Sequence, residues 1–266
     1  MSRLLDRARA HLQPRRLRLY GTGNGRSGTT TLARMFRAYR VAHEIDQERS
    51  WVLATRVLTG EWDVNSWRVR SALRRRDLRY HLEVDVAGHM APLAPALAQM
   101  HDDARFVLLV RDCFSWLGSV VDQRSIIPRD RGRRYFQAKY QRHGATFAPE
   151  ESALREADVF PVASFLQGWA DGIQRVLDGV PAERLLVVRT EDIDTSVELL
   201  ARFAGVPAST LQPNHANRNS SPVGLVGEVP TEFVVAQARA HCAPIMERYW
   251  GPDWTDLACR LPESSR

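Results

Sequence analysis

Apolar residues fall along this chain in two patterns. The first is the short, continuous run. Phe106 to Val110 is wholly apolar, and Leu185 to Val188 follows Arg184 in the same way. Runs this short predict strands buried on both faces of a parallel sheet. Three weaker segments also read as strands. Leu17, Leu19 and Tyr20 lie among basic residues and predict a strand over about Arg16 to Tyr20. Val41 to Ile45 is a short candidate. Leu82, Val84 and Val86 alternate with His81, Glu83 and Asp85, which predicts a strand over Tyr80 to Val86.

The second pattern has spacings of three and four, the mark of a helix with one apolar face. Leu32, Met35, Phe36 and Tyr39 follow it, as do Phe114, Leu117, Val120 and Val121, and then Phe165, Trp169, Ile173 and Val176. Helices are also predicted over 47–60 and 63–76, with Gly60 between them, and over Met90 to Met100 despite Pro92 and Pro95. Another ends at Leu199 to Ala204, stopped by Gly205-Val206-Pro207. Thr231 to Trp250 forms the last, closed by Gly251. Trp51, Trp62 and Trp67 read as packing residues. Helices alternating with buried strands predict an α/β fold, a three-layer, doubly wound and mostly parallel sheet. The 266 residues suit a single domain. Its appendages are an arm over 1–16 with exposed arginines, a basic lid-like insertion over 124–148, and a C-terminal loop and helix over 212–266.

Composition narrows the function classes. The net charge is +6, and Lys139 is the only lysine among 37 basic residues. Such an arginine skew is a common mark of genomic base composition, yet the excess charge helps a polyanion to arrive. Recognition helices, zinc fingers and RNA-binding aromatic motifs are missing, so nucleic acid is not an expected partner. No apolar run reaches the ~18 residues of a membrane span. The arginine-rich N-terminus lacks an apolar signal core, so a cytoplasmic location is expected. The three cysteines, Cys113, Cys242 and Cys259, are scattered, which fits a reducing compartment and offers no metal-ligand spacing.

The chemistry concentrates at Gly21-Thr-Gly-Asn-Gly-Arg-Ser-Gly-Thr-Thr-Thr31. A glycine-rich turn between a strand and a helix leaves backbone N–H groups unpaired at a positive helix end, where a phosphate satisfies them. The stretch is close to the G-x-x-x-x-G-K-[ST] nucleotide loop. Gly23 and Gly28 have the required separation and Thr30 fills the hydroxyl position, but Thr29 replaces the lysine. The nearby cation is Arg26. A cation shifted upstream suits a 5′-phosphate better than the far end of a triphosphate. A second signal follows the Phe106 run. Arg111-Asp112 stands at the carboxyl end of that strand, where ligands bind in such sheets, and Ser119 lies eight residues on.

Arg26-Ser27-Gly28-Thr29-Thr30 resembles the 5′-phosphosulfate loop of the PAPS-dependent sulfotransferases. The strand-Arg111-Asp112 run with Ser119 resembles that family's 3′-phosphate site, with Cys113 where a proline is usual. Arg189-Thr190-Glu191-Asp192 is similar to a later strand end of the family and is read as scaffold. Arg218 falls where members often carry a basic loop over the 3′-phosphate, although the fuller Arg-Lys-Gly pattern is absent.

The resemblance implies PAPS as donor and adenosine 3′,5′-bisphosphate as product. It implies metal-independent, in-line transfer of a sulfuryl group to a hydroxyl of a small-molecule, carbohydrate or natural-product acceptor. Arg26 would stabilise charge on the leaving phosphate. A base must take the acceptor's proton. Glu44 and His89 are near parity for it, with Glu44 slightly ahead, and Glu83 is third. Two other classes stay open: an ATP-dependent small-molecule kinase and a non-catalytic anion-binding adaptor.

Overall fold

The computed structural model describes residues 13–126, 132–141, 144–213 and 224–262. In chain order the elements begin with β1 (Leu19–Gly23), α1 (Thr29–Met35), β2 (Val41–His43), α2 (Gln47–Leu58), α3 (Trp67–Tyr80) and β3 (Val84–Val86). A 3₁₀ segment, Gly88–Leu93, leads into α4 (Ala94–Met100), β4 (Arg105–Val110), α5 (Cys113–Ile126) and α6 (Arg133–Tyr140). Then come α7 (Ser152–Glu156), α8 (Val162–Gly179), β5 (Leu185–Arg189), α9 (Val197–Ala204) and α10 (Thr231–Trp250).

The five strands form one sheet in the order β2-β3-β1-β4-β5, and every neighbouring pair is parallel. Period-two alternation divides the β4 run between two cores. Phe106, Leu108 and Val110 face one side, with Leu53, Trp116, Phe165, Trp169 and Ile173. Val107 and Leu109 face the other, with Leu32, Met35, Phe36 and Leu200. Both faces are therefore covered, as the uniform apolar run requires. β1 lies between β3 and β4, so the chain winds away from it in both directions. The crevice at the carboxyl end of β1 is the switch point where α/β sheets bind ligands.

Boundaries differ from the sequence pattern at several points. The strand expected from Tyr80 begins only at Val84, because α3 continues to Tyr80 and stops where His81 takes a left-handed φ of 47°. The alternation over 80–83 is real, but the bulk of these residues lies in the helix end and the turn. α1 ends at Met35, although Phe36 and Tyr39 still bury their rings beneath the sheet. Pro92 falls inside the 3₁₀ segment, so the helix expected from Met90 starts at Ala94.

Several side chains also sit elsewhere than expected. Arg15 is not an exposed arm residue; it donates to both Asp77 carboxylate oxygens and to the Leu82 carbonyl. The rest of the arm, through residue 12, lies outside the described residues. Trp67 is not a packing residue, being 73% exposed. In the basic 124–148 segment, the described helix α6 is well packed. Tyr135, Lys139 and Tyr140 are buried, and Trp51 stacks on Tyr135 at 5.8 Å between centroids.

Candidate functional site

The glycine-rich loop joins β1 to α1 with three residues at positive φ. Gly23 (152°) brings the strand end against β4, where a Cβ would lie 2.5 Å from the Leu109 carbonyl oxygen. Gly28 (89°) caps α1, and a Cβ there would lie 2.5 Å from Ile193 Cδ1. Between them Arg26 has φ 73° without being glycine. A side chain held in the left-handed region is strained, and such strain collects at functional sites.

Four surrounding elements hold the loop. Trp116 Nε1, from α5, donates to the Gly25 carbonyl at 2.8 Å. The Thr190 hydroxyl, just beyond β5, donates to the carbonyls of Ser27 (3.0 Å) and Val110 (3.1 Å). Asn24 donates to the Trp169 carbonyl of α8 at 3.0 Å and accepts from Lys139 of α6 at 2.8 Å. The carbonyls of Gly25 and Ser27 are thus turned into the protein. No side chain caps the start of α1, and its first turn has no acidic residue. The helix-end N–H groups are left for an anion.

Two separated motifs meet here. Arg26 Nε donates to the Ser119 hydroxyl at 2.8 Å, although 93 residues separate them. Arg111 donates to the Arg26 carbonyl at 3.2 Å, and its own carbonyl accepts from Trp169 Nε1 at 3.1 Å. Burial lowers the pKa of both guanidinium groups, and for Arg111 the Arg26 charge adds to this against the raising effect of Asp112. Neither forms an ion pair with a carboxylate among the described residues. Asp112 is otherwise engaged: one oxygen accepts from the Ser115 N–H at 2.8 Å and the other from Arg260 at 3.0 Å. Ser27 adds a buried hydroxyl with no protein partner among the described residues. Two poorly solvated cations, helix-end N–H groups and an unpaired hydroxyl gathered around this loop suit a multiply charged anion.

The base candidates sit differently. Glu44 follows β2 with φ 53°, and its N–H donates to the Val86 carbonyl at 2.9 Å. Its carboxylate accepts from Gln47 Nε2 at 2.7 Å. The adjacent His43 meets Thr29 Oγ1 at 3.0 Å, which ties this strand end to the loop. His89 is 3% exposed, and neither ring nitrogen has a protein partner among the described residues. Burial, then the charges of Arg76 and His43, push its pKa down to about 3. It lies beside the loop, since a Cβ on Gly88 would sit 3.1 Å from the Gly23 carbonyl oxygen and the Gly25 nitrogen.

Glu83 is at the wrong end of the strands. It precedes β3 at the amino edge of the sheet, bonded to the side chain and N–H of Arg16 and to the N–H of Arg40. Burial would raise its pKa, but these donors hold it at about 2. It is a structural anchor. Arg218 lies outside the described residues. Among the described residues no cluster of His, Cys, Asp and Glu could hold a metal ion, and no helix is long and apolar enough to cross a membrane.

Sequence reasoning overlooked Asn24, Trp116, Trp169 and Lys139 as loop supports. For Lys139 a signal existed: one lysine in an arginine-rich chain marks a place where a compact ammonium does what a guanidinium fork cannot. Asn24, Trp116 and Trp169 gave no local cue.

A family model described as "Sulfotransferase domain" matches residues 18–221. Among solved structures, a sulfotransferase from Alicyclobacillus acidocaldarius aligns with 16% identity, a TM-score of 0.43, and coverage of 85% of this chain and 95% of its own. A sulfotransferase domain from the curacin biosynthetic pathway aligns with 16% identity, a TM-score of 0.45, and coverage of 76% and 79%. One from the Synechococcus PCC 7002 olefin synthase aligns with 15% identity, a TM-score of 0.40, and coverage of 78% and 80%. Comparison with curated protein sequences gives no match.

Proposed function

The chain belongs to the sulfotransferase family, and from that membership we propose that it moves a sulfuryl group from PAPS to a hydroxyl of a small-molecule, carbohydrate or natural-product acceptor. One observation carries the reading: Arg26 of the loop and Arg111 with Ser119 of the second motif share a single hydrogen-bonded cluster. An adenosine phosphorylated at both ends needs two such anion sites within one crevice.

The donor set fits this group. The N–H groups of Gly28 to Thr30, the Ser27 and Thr30 hydroxyls and Arg26 would hold the 5′ end, while the Ser27 N–H is taken by the Asn24 carbonyl at 3.1 Å. Arg111 and Ser119 would hold the 3′-phosphate. When bound, PAPS supplies a sulfuryl group that bonds to the acceptor oxygen as adenosine 3′,5′-bisphosphate leaves. The fixed loop donors and Arg26 stabilise negative charge on the departing oxygen without reorganising. Glu44 takes the acceptor's proton, oriented by Gln47. With a pKa of about 3, His89 is neutral at pH 7 but a weak base, and its burial keeps it from a hydroxyl entering from solvent. Glu44 is half-buried and so open to an acceptor.

The test is a thermal-shift titration. Adenosine 3′,5′-bisphosphate without metal raises the melting temperature. A response to ATP with Mg²⁺ alone would point to phosphoryl transfer, and silence to both ligands would point to an adaptor. Either result overturns the proposal.

A further inference from the structure

Helix α3 carries two large apolar side chains into solvent. Trp67 is 73% exposed and Leu78 is 62% exposed. They stand three turns apart, about 16 Å along the axis, close to one line of the helix surface. Arg74 lies on that line between them. Arg70 flanks it on one side, and Arg68, Arg75 and Arg79 flank it on the other. All five arginines are exposed. Val69 and Leu73, on the opposite side of the helix, are buried in the core.

This outer face has one sign of charge. Asp77, the carboxylate of α3, is turned away from it, to Arg15 at 2.6 Å and Arg18 at 3.2 Å. Arg76 is likewise turned away, to Asp85. Of the acids just before the helix, Glu61 pairs with Arg56 at 3.7 Å, and Asp63 accepts from the Asn65 N–H at 2.7 Å. Among the described residues no carboxylate pairs with the five arginines. Arg70 donates to Gln99 at 3.0 Å, and Arg68 sits 5.9 and 5.8 Å from the ring centroids of Trp62 and Trp67.

Charge and shape together choose the occupant. An isolated apolar side chain on a surface is ordinary. An indole and an aliphatic chain in line, bordered by guanidinium groups, match the layers of an anionic bilayer, whose phosphates take the cations and whose acyl boundary takes the apolar groups. A second copy of the chain would set arginine against arginine. Nucleic acid would engage the arginines and stack on Trp67, but would give Leu78 no partner.

We propose that the outer face of α3 docks on an anionic lipid surface, with Trp67 and Leu78 entering the headgroup layer and the arginines meeting lipid phosphates. This is binding at the surface, since no described helix is long and apolar enough to span a membrane. It is independent of the sulfotransferase reading.

Co-sedimentation with vesicles tests it. The wild-type protein binds vesicles of mixed phosphatidylglycerol and phosphatidylcholine and ignores phosphatidylcholine alone. Salt at about 1 M, where the Debye length is about 3 Å, releases it. Replacing both Arg74→Gln and Arg75→Gln weakens binding about 30-fold, at about 1 kcal/mol for each arginine near the surface. Trp67→Ser also weakens it. Arg202→Gln with Arg239→Gln removes the same charge from exposed positions on other helices and leaves binding unchanged. No binding to the anionic vesicles, equal binding to phosphatidylcholine, or the same loss in both arginine pairs overturns the proposal. So does a protein that ignores vesicles but binds duplex DNA or polyglutamate through this face. The wild-type comparison of the two vesicle types is decisive even if a variant does not fold.

Discussion

For single residues, charge and burial set the expectations. Arg111 is desolvated and free of a carboxylate among the described residues, so an added 3′-phosphate gains nearly the whole contact. Arg111→Ala should weaken adenosine 3′,5′-bisphosphate binding by about 10- to 100-fold, the worth of a charge-assisted bond. AMP binding should fall much less, and isothermal titration of both ligands checks the difference. Glu44→Gln keeps the side chain's shape and removes its basicity. Turnover should drop by about 10²–10⁴ with bisphosphate affinity unchanged. Activity that persists in this variant would remove Glu44 from the mechanism. His89 gives a pH signature. Its pKa is near 3 in the fold, against the ordinary 6.5 of a solvated imidazole, so the unfolded chain binds the extra proton between those values. Its contribution is complete above pH 6.5 and is lost as the pH falls towards 3. By pH 5 the loss is about 2 kcal/mol. Denaturant unfolding at pH 7 and pH 5 should show a smaller drop for His89→Gln than for wild type.

Among the elements, the β1–α1 loop is what the rest of the crevice supports. Its shape depends on Gly28, whose φ of 89° and contact with Ile193 admit no Cβ. Gly28→Ala should cost about 1–2 kcal/mol from the left-handed backbone alone, with the Ile193 clash added. The displaced turn should then bind bisphosphate poorly even at temperatures where the variant stays folded, which a paired melting and binding series would reveal. The loop was legible from its residues because glycines, a cation and hydroxyls at fixed spacing are local facts. Its supports were not. Trp116, Trp169 and Lys139 reach it from α5, α8 and α6, and their roles arise only when those helices pack. Helix α6 makes the same point. Its basic sequence reads as part of a lid-like insertion, but Tyr135, Lys139 and Tyr140 are buried.

Across the molecule, the two edges of the sheet do different work. The carboxyl edge gathers the loop, Arg26, Arg111 and Ser119 of the proposed anion site, while the amino edge is stapled by buried charge. Glu83 joins the segment before β1 to the turn before β2 through Arg16 and Arg40. Because its pKa is depressed to about 2, its stabilisation is present above the ordinary carboxylate range and is lost as the pH falls through about 2. Glu83→Gln should therefore destabilise the protein at pH 7 by about 1.5–3 kcal/mol without altering bisphosphate affinity, and the penalty should shrink in acid. A pH-independent penalty would show that the charge is not what matters. The linear order of residues was enough to establish the parallel α/β class and the strands β4 and β5 and to single out the two motifs that meet in the crevice, because apolar periodicity and turn chemistry are written within a few neighbouring positions. Folding in three dimensions was needed to bring Arg26 to Ser119 and Arg111, to make Glu83 an anchor rather than a base, and to leave Trp67 outside the core. Those facts depend on strand order and helix packing, which bring together residues tens of positions apart, and no local pattern encodes such distances.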